Sequence, residues 1–168
     1  MLLGRLMEWD GKSAAYLKQL AEDQGQASGY LEDVIHLCHD PNPRVHTGAT
    51  WLLKHAIGRG AQVPFSRVKD AVHPQISWEA RLHIFQSLSA MDLTSDQVGD
   101  LVPVIQEALT SKRAILRAWA LDALYRCALV SPEVEGLWEV AASQAMAKEK
   151  ASVKARLRNI LAEDQKRK

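Results

Sequence analysis

Between Ser111 and Ala128 the apolar residues Leu116, Ala120, Ala123 and Leu124 recur at steps of four, three and one, the spacing of one face of an α-helix. A polar turn precedes this run, and another apolar-periodic run precedes the turn. The same alternation of helix, short turn and helix recurs along the chain. It predicts helices at about 12–23, 30–39, 44–58, 64–73, 77–91, 95–109, 112–130, 132–147 and 151–164. The punctuation agrees: Gly25 to Gly29 closes the first, Asp40, Pro41 and Pro43 end the second, and Gly58 and Gly60 stop the third. Thr94 or Ser95, and Ser131 followed by Pro132, have the chemistry of helix starts, and Pro103 falls in the first turns of its helix or kinks it. No alternating Val/Ile/Thr run is bounded by turn residues, so the expected class is all-α.

The second helix of each pair repeats a frame. Val45-His46-x-x-Ala49-x-x-Leu52-Leu53 superposes on Ala80-Arg81-x-x-Ile84-x-x-Ser87-Leu88, then on Leu116-Arg117-x-x-Ala120-x-x-Ala123-Leu124 and Val153-Lys154-x-x-Leu157-x-x-Ile160-Leu161. The second positions, 46, 81, 117 and 154, lie 35, 36 and 37 residues apart. Four copies at nearly one period are the signature of a repeat array.

This frame, preceded in the first copy by Asp40-Pro41-Asn42-Pro43-Arg44, resembles the second helix of a HEAT repeat. The resemblance covers residue 30 to the C-terminus, and later copies replace the Asp with Gln75, Ser111 and Lys148, so no regular Asp/Arg ladder is expected. It implies a right-handed α-solenoid of about four HEAT-like helix pairs, with repeats at about 29–60, 61–93, 94–130 and 131–165. Residues 1–28 would then be an N-terminal cap, with one helix at 12–23 and Trp9 and Tyr16 beside it. The whole chain is expected to be one repeat domain, because no pair alone buries its apolar stripe.

At 100° per residue the third, seventh and tenth positions of each frame lie opposite the apolar ones. They are Thr47, Trp51 and Lys54; Leu82, Gln86 and Ser89; Ala118, Asp122 and Tyr125; Ala155, Asn159 and Ala162. In HEAT-like arrays the second helices line the concave side. The resemblance therefore implies a groove bearing Trp51, Lys54, Gln86, Asp122, Tyr125 and Asn159, flanked by His55 and Arg126. Exposed Trp and Tyr favour binding because rigid rings give contact area at low entropic cost. The competing reading is that Trp51 packs on a neighbouring helix.

Composition adds little: 47% hydrophobic and 24% charged residues are ordinary for a globular chain, and a net charge of +1 argues for neither nucleic acid nor membrane. Its distribution says more. The second-helix segments sum to +7 and the first-helix segments to −8, so one face is expected to be basic and able to attract an acidic peptide or phosphates. Against this stands the ordinary placement of cations near helix C-termini and acids in first turns. Cys38 and Cys127 lie in apolar helical patterns and read as buried thiols in a reducing compartment. The apolar run in MLLGRLMEWD is too short for a signal peptide, and none reaches the ~20 residues of a membrane helix, so the expected location is cytoplasmic.

Candidate chemistry is sparse. His36 and His39 flank Cys38 beside Asp40, but no second Cys/His pair completes a zinc set, so no metal and no cofactor are expected. His46, His55, His73 and His83 are scattered and read as interface or solvent histidines. Adjacent carboxylates such as Glu32 and Asp33 diverge on a helix, and no hydrolase, zincin, P-loop or dinucleotide motif occurs. The expected function is a non-catalytic module that binds a protein partner, with the oligomeric state left open. The alternative is a nucleic-acid binder similar to the DNA alkylation repair glycosylases, HEAT-like solenoids that hold duplex against a basic face. Trp51, Trp119, Asp122 and Arg126 would be its working residues.

Overall fold

A computed structural model describes residues 1–168, which form nine α-helices and no strand. The chain divides into two compact units, Met1–Met91 and Asp92–Lys168. The first holds α1 (Leu2–Glu8), α2 (Ala14–Gln24), α3 (Tyr30–Leu37), α4 (Pro43–Gly58) and α5 (Trp78–Ser87). The second holds α6 (Ser95–Leu109), α7 (Ala114–Val130), α8 (Glu135–Lys148) and α9 (Ala151–Arg167).

The repeated frames lie on α4, α5, α7 and α9 in order, except that Leu88, the last position of the second copy, falls in the 3₁₀ turn Leu88–Ala90 after α5. Their apolar positions are buried throughout, from Val45 to Ile160, with the last residue, Leu161, the one exposed member. Full burial of such side chains contributes roughly 1.5–3 kcal/mol each, so these stripes are the main cohesive term in both units. In the first unit α4 is the hub, packed by α1, α2, α3 and α5; in the second α7 takes that place among α6, α8 and α9.

Caps set the helix starts. Asn42 accepts from the Arg44 amide at 3.0 Å with Pro43 at the first helical position of α4, and Ser77 accepts from the Ala80 amide to start α5. Thr94 and Gln97 form a reciprocal capping box at α6. Gly29, at φ +82°, supplies the left-handed residue that lets α3 begin directly after α2.

Three expectations change. The run 64–73 is not an α-helix; it holds two single 3₁₀ turns, Phe65–Arg67 and Lys69–Ala71. Buried Phe65, Val68 and Ala71 recur every three residues, which suits a three-residue turn. Residues 1–28, expected to hold one helix, hold two, because the leading apolar run forms α1. Leu2 and Leu6 are buried, and α1 comes so close to α4 that a Cβ on Gly48 would stand 2.7 Å from the Leu6 Cδ2. Trp9 donates its indole N–H to the Ser13 carbonyl at 2.9 Å, and the Tyr16 hydroxyl donates to the Arg5 carbonyl at 2.9 Å, tying α1 to α2. Finally, α8 begins after a 3₁₀ turn at Pro132–Val134. No helix is long and apolar enough to cross a membrane.

Candidate partner-binding face

On α4, Trp51, Lys54 and His55 fall within four residues and share one side of the helix. The Trp51 and His55 rings stack with centroids 5.2 Å apart and planes 9° from parallel, and the Lys54 ammonium lies 5.7 Å from the Trp51 ring centre. All three are half-buried. Burial, joined by the charge of Arg59, lowers the His55 pKa from its ordinary value, and burial lowers that of Lys54. His55 also lines a cleft of about 500 Å³ formed where α2 ends, α3 begins and α4 ends. Glu22, Tyr30 and Arg59 share its wall. The Tyr30 hydroxyl is buried without a hydrogen-bond partner, and burial pushes its pKa up to about 12. On α5, Gln86 is half-buried and its Oε1 is likewise buried without a partner.

The second unit departs from expectation. Asp122, Tyr125 and Arg126 are not presented to solvent: their exposures are 0%, 2% and 7%. Asp122 Oδ1 accepts from Arg126 Nε at 3.0 Å, and its Oδ2 accepts from the Arg156 guanidinium. Arg126 also donates to both oxygens of Glu163, one at 2.7 Å, and the Tyr125 hydroxyl donates to Asp164 at 3.2 Å. Tyr125 packs on Trp138 of α8 at 5.4 Å. Trp119 is half-buried beneath the Arg156 guanidinium, 3.7 Å from its ring centre. Charges from α9 therefore take up this side of α7, because a buried ion needs a partner and hydrogen bonds to persist. The Arg126 hydrogen bonds hold the Glu163 carboxyl down at about 2. Burial opposes the charge on Arg126, but Glu163 and Asp122 outweigh it and raise its pKa. Asn159 on α9 is exposed.

Seven of the nine expected site residues thus separate into an open group on α4 (Trp51, Lys54, His55) and an engaged group on α7 (Trp119, Asp122, Tyr125, Arg126), while Gln86 and Asn159 stand apart on α5 and α9. Arg156 and Glu163 were missed, although they stand seven apart and so share a face of α9. Arg117 is similarly engaged, holding Glu149 through two hydrogen bonds of 2.6 and 2.8 Å. These pairs join cations and carboxylates that both belong to second-helix segments, so they fix Arg117, Arg126 and Arg156 in place and leave the net +7 of those segments as it was.

The histidines also need correction. His46 and His83 are buried rather than at an interface or in solvent. His46 Nε2 lies 3.2 Å from the Ala71 carbonyl, and His83 Nδ1 lies 3.1 Å from Thr50 Oγ1. Burial, with some help from the Lys54 charge, drives the His83 pKa down to about 3. Cys38 and Cys127 are free and buried, and burial pushes each thiol up to about 12. No three His, Cys, Asp or Glu side chains converge where a metal ion would sit. His39 instead faces the Arg67 carbonyl at 3.1 Å.

The chain gives no match to any protein-family model, curated protein or solved structure with which it was compared.

Proposed function

We propose that the chain is a short HEAT-like α-solenoid that binds a protein partner without catalysis, and that Trp51, Lys54 and His55 form the centre of its binding face. The solenoid reading is supported by four frames at one period on four helices, each burying its apolar stripe. One observation carries the functional reading: Trp51 keeps part of its ring exposed among polar neighbours, while its counterparts on α7 are consumed by intramolecular partners. Partly exposed, pre-stacked aromatics beside a cation are efficient anchors, because they are already ordered and lose little entropy on contact.

The nucleic-acid alternative draws on the basic second helices. Of its four working residues, Asp122 has no exposure and both its oxygens accept from guanidinium groups, and Arg126 is committed to Asp122 and Glu163. Binding to duplex and single-stranded DNA across a salt series separates the two readings. Negligible binding at low salt is expected, whereas tight binding that weakens steeply with salt would replace the protein-partner reading. Affinity capture followed by reconstitution with the purified partner tests the face directly: Trp51→Ala should lose the partner, and retention at wild-type affinity removes α4 as the binding face.

A further inference from the structure

The cleft beside His55 suggests what the face recognises. Its floor and walls include Ala21, Leu31, Ala56 and Ala61, so the body of an occupant would meet apolar surface. Its polar groups are unequal. In its wall Glu22 has Lys18 of its own helix at 3.9 Å, whereas Arg59 has no carboxylate within ion-pair reach, and Lys54, outside the wall, lies over the Trp51 ring. The charged groups that act on His55 are Arg59, Lys18 and Lys54 against the single carboxylate of Glu22, a local excess of cations. Unspent cations beside an apolar slot of about 500 Å³ call for an anionic group carried on an apolar body.

We propose that this cleft takes a carboxylate side chain of an acidic, partly apolar protein segment, with Arg59 as its charged partner and the stacked Trp51–His55 pair as the adjoining wall. The proposal rests on the binding face assigned to α4. It goes further by naming the chemistry of the partner: alternating acidic and aliphatic residues, one of whose carboxylates reaches Arg59. A guanidinium favours a carboxylate because its fork matches the two oxygens.

The probe is a labelled eight-residue peptide of alternating Glu and Leu, followed by fluorescence anisotropy on the full chain. The same peptide with Gln for Glu, succinate and inorganic phosphate are the comparison arms. Saturable binding of the acidic peptide is expected, at least tenfold weaker for the Gln peptide and for the Arg59→Gln protein. Equal affinity for the two peptides, or an unchanged affinity in Arg59→Gln, would overturn the proposal. Succinate or phosphate binding as tightly as the peptide replaces the protein segment with a small anion. If the acidic peptide fails while Trp51→Ala still loses its reconstituted partner, the carboxylate chemistry falls and the face stands. If Trp51→Ala loses nothing, the face itself falls.

Discussion

Helices α4 and α7 carry the same frame at the same register, yet their polar sides meet different fates. On α4 the seventh and tenth positions, Trp51 and Lys54, stay half-buried with no carboxylate at hand; on α7 the same positions, Asp122 and Tyr125, are sealed. The apolar stripe decides how each helix docks, but the neighbour decides what becomes of the opposite side. In the second unit α9 supplies Arg156, Glu163 and Asp164, long or charged side chains that reach back onto α7. In the first unit α5 answers α4 nearer its start, where the Thr47 and Ser77 hydroxyls meet at 2.7 Å and Thr50 meets His83. A repeat position therefore marks geometry, and its exposure depends on the next repeat.

The comparison breaks most sharply at Asp122. Asp122→Ala leaves Arg126 and Arg156 without their shared buried carboxylate and should destabilise the second unit by about 3–5 kcal/mol in denaturant unfolding. A loss under 1 kcal/mol would show that the network does not hold α9 to α7.

Acid titration is expected to separate the units next. His83 has a folded pKa of about 3, below its unfolded value, so the unfolded chain binds the extra proton as pH falls. Its contribution is whole above about pH 6.5 and is lost progressively toward pH 3, amounting to about 3 kcal/mol at pH 4. Glu163, held at about 2, contributes above its unfolded value and loses that only as pH falls through the range below about 4.5. The first unit should therefore soften at higher pH than the second, as read by tryptophan and amide signals assigned to each. His83→Gln should flatten the slope between pH 6.5 and 4, and an unchanged slope would place the acid sensitivity elsewhere.

Gly48→Ala is expected to cost about 1–3 kcal/mol, because the added methyl must displace the Leu6 side chain where α1 meets α4. Thermal melts of the variant, with and without Leu6→Ala, check whether relieving that contact restores part of the loss. Trp51→Ala has the smallest expected effect on stability, below about 1.5 kcal/mol by chemical denaturation. A larger loss would mean that Trp51 is packing rather than presented surface.

The helices were legible because their apolar periodicity and caps are local: α6 spans Ser95–Leu109, as its pattern predicts. Residues 64–73 deceived because an apolar residue every three positions also fits a loosely read helical face, while Pro64 and the two valines, Val68 and Val72, disfavour the longer helix. The leading helix α1 was missed because seven residues around Gly4 have little helical drive until Leu2 and Leu6 find α4. The sealed state of Asp122 had no local signal, since its second cation comes from 34 residues away and Glu163 stands 37 residues beyond Arg126. The Trp51 group was legible as a surface, though its cleft, which joins the ends of three helices, was not.

The two 3₁₀ turns between α4 and α5 have a consequence for motion. A stretch that would otherwise be a full helical layer is held by a few short backbone bonds and by the anchors Phe65 and Val68. Such a segment opens at lower free energy than the helices around it. Its amides should exchange with solvent ahead of the α4 interior, and its departure would take the Ala71 carbonyl from His46, wetting a buried imidazole while the rest of the unit stays folded.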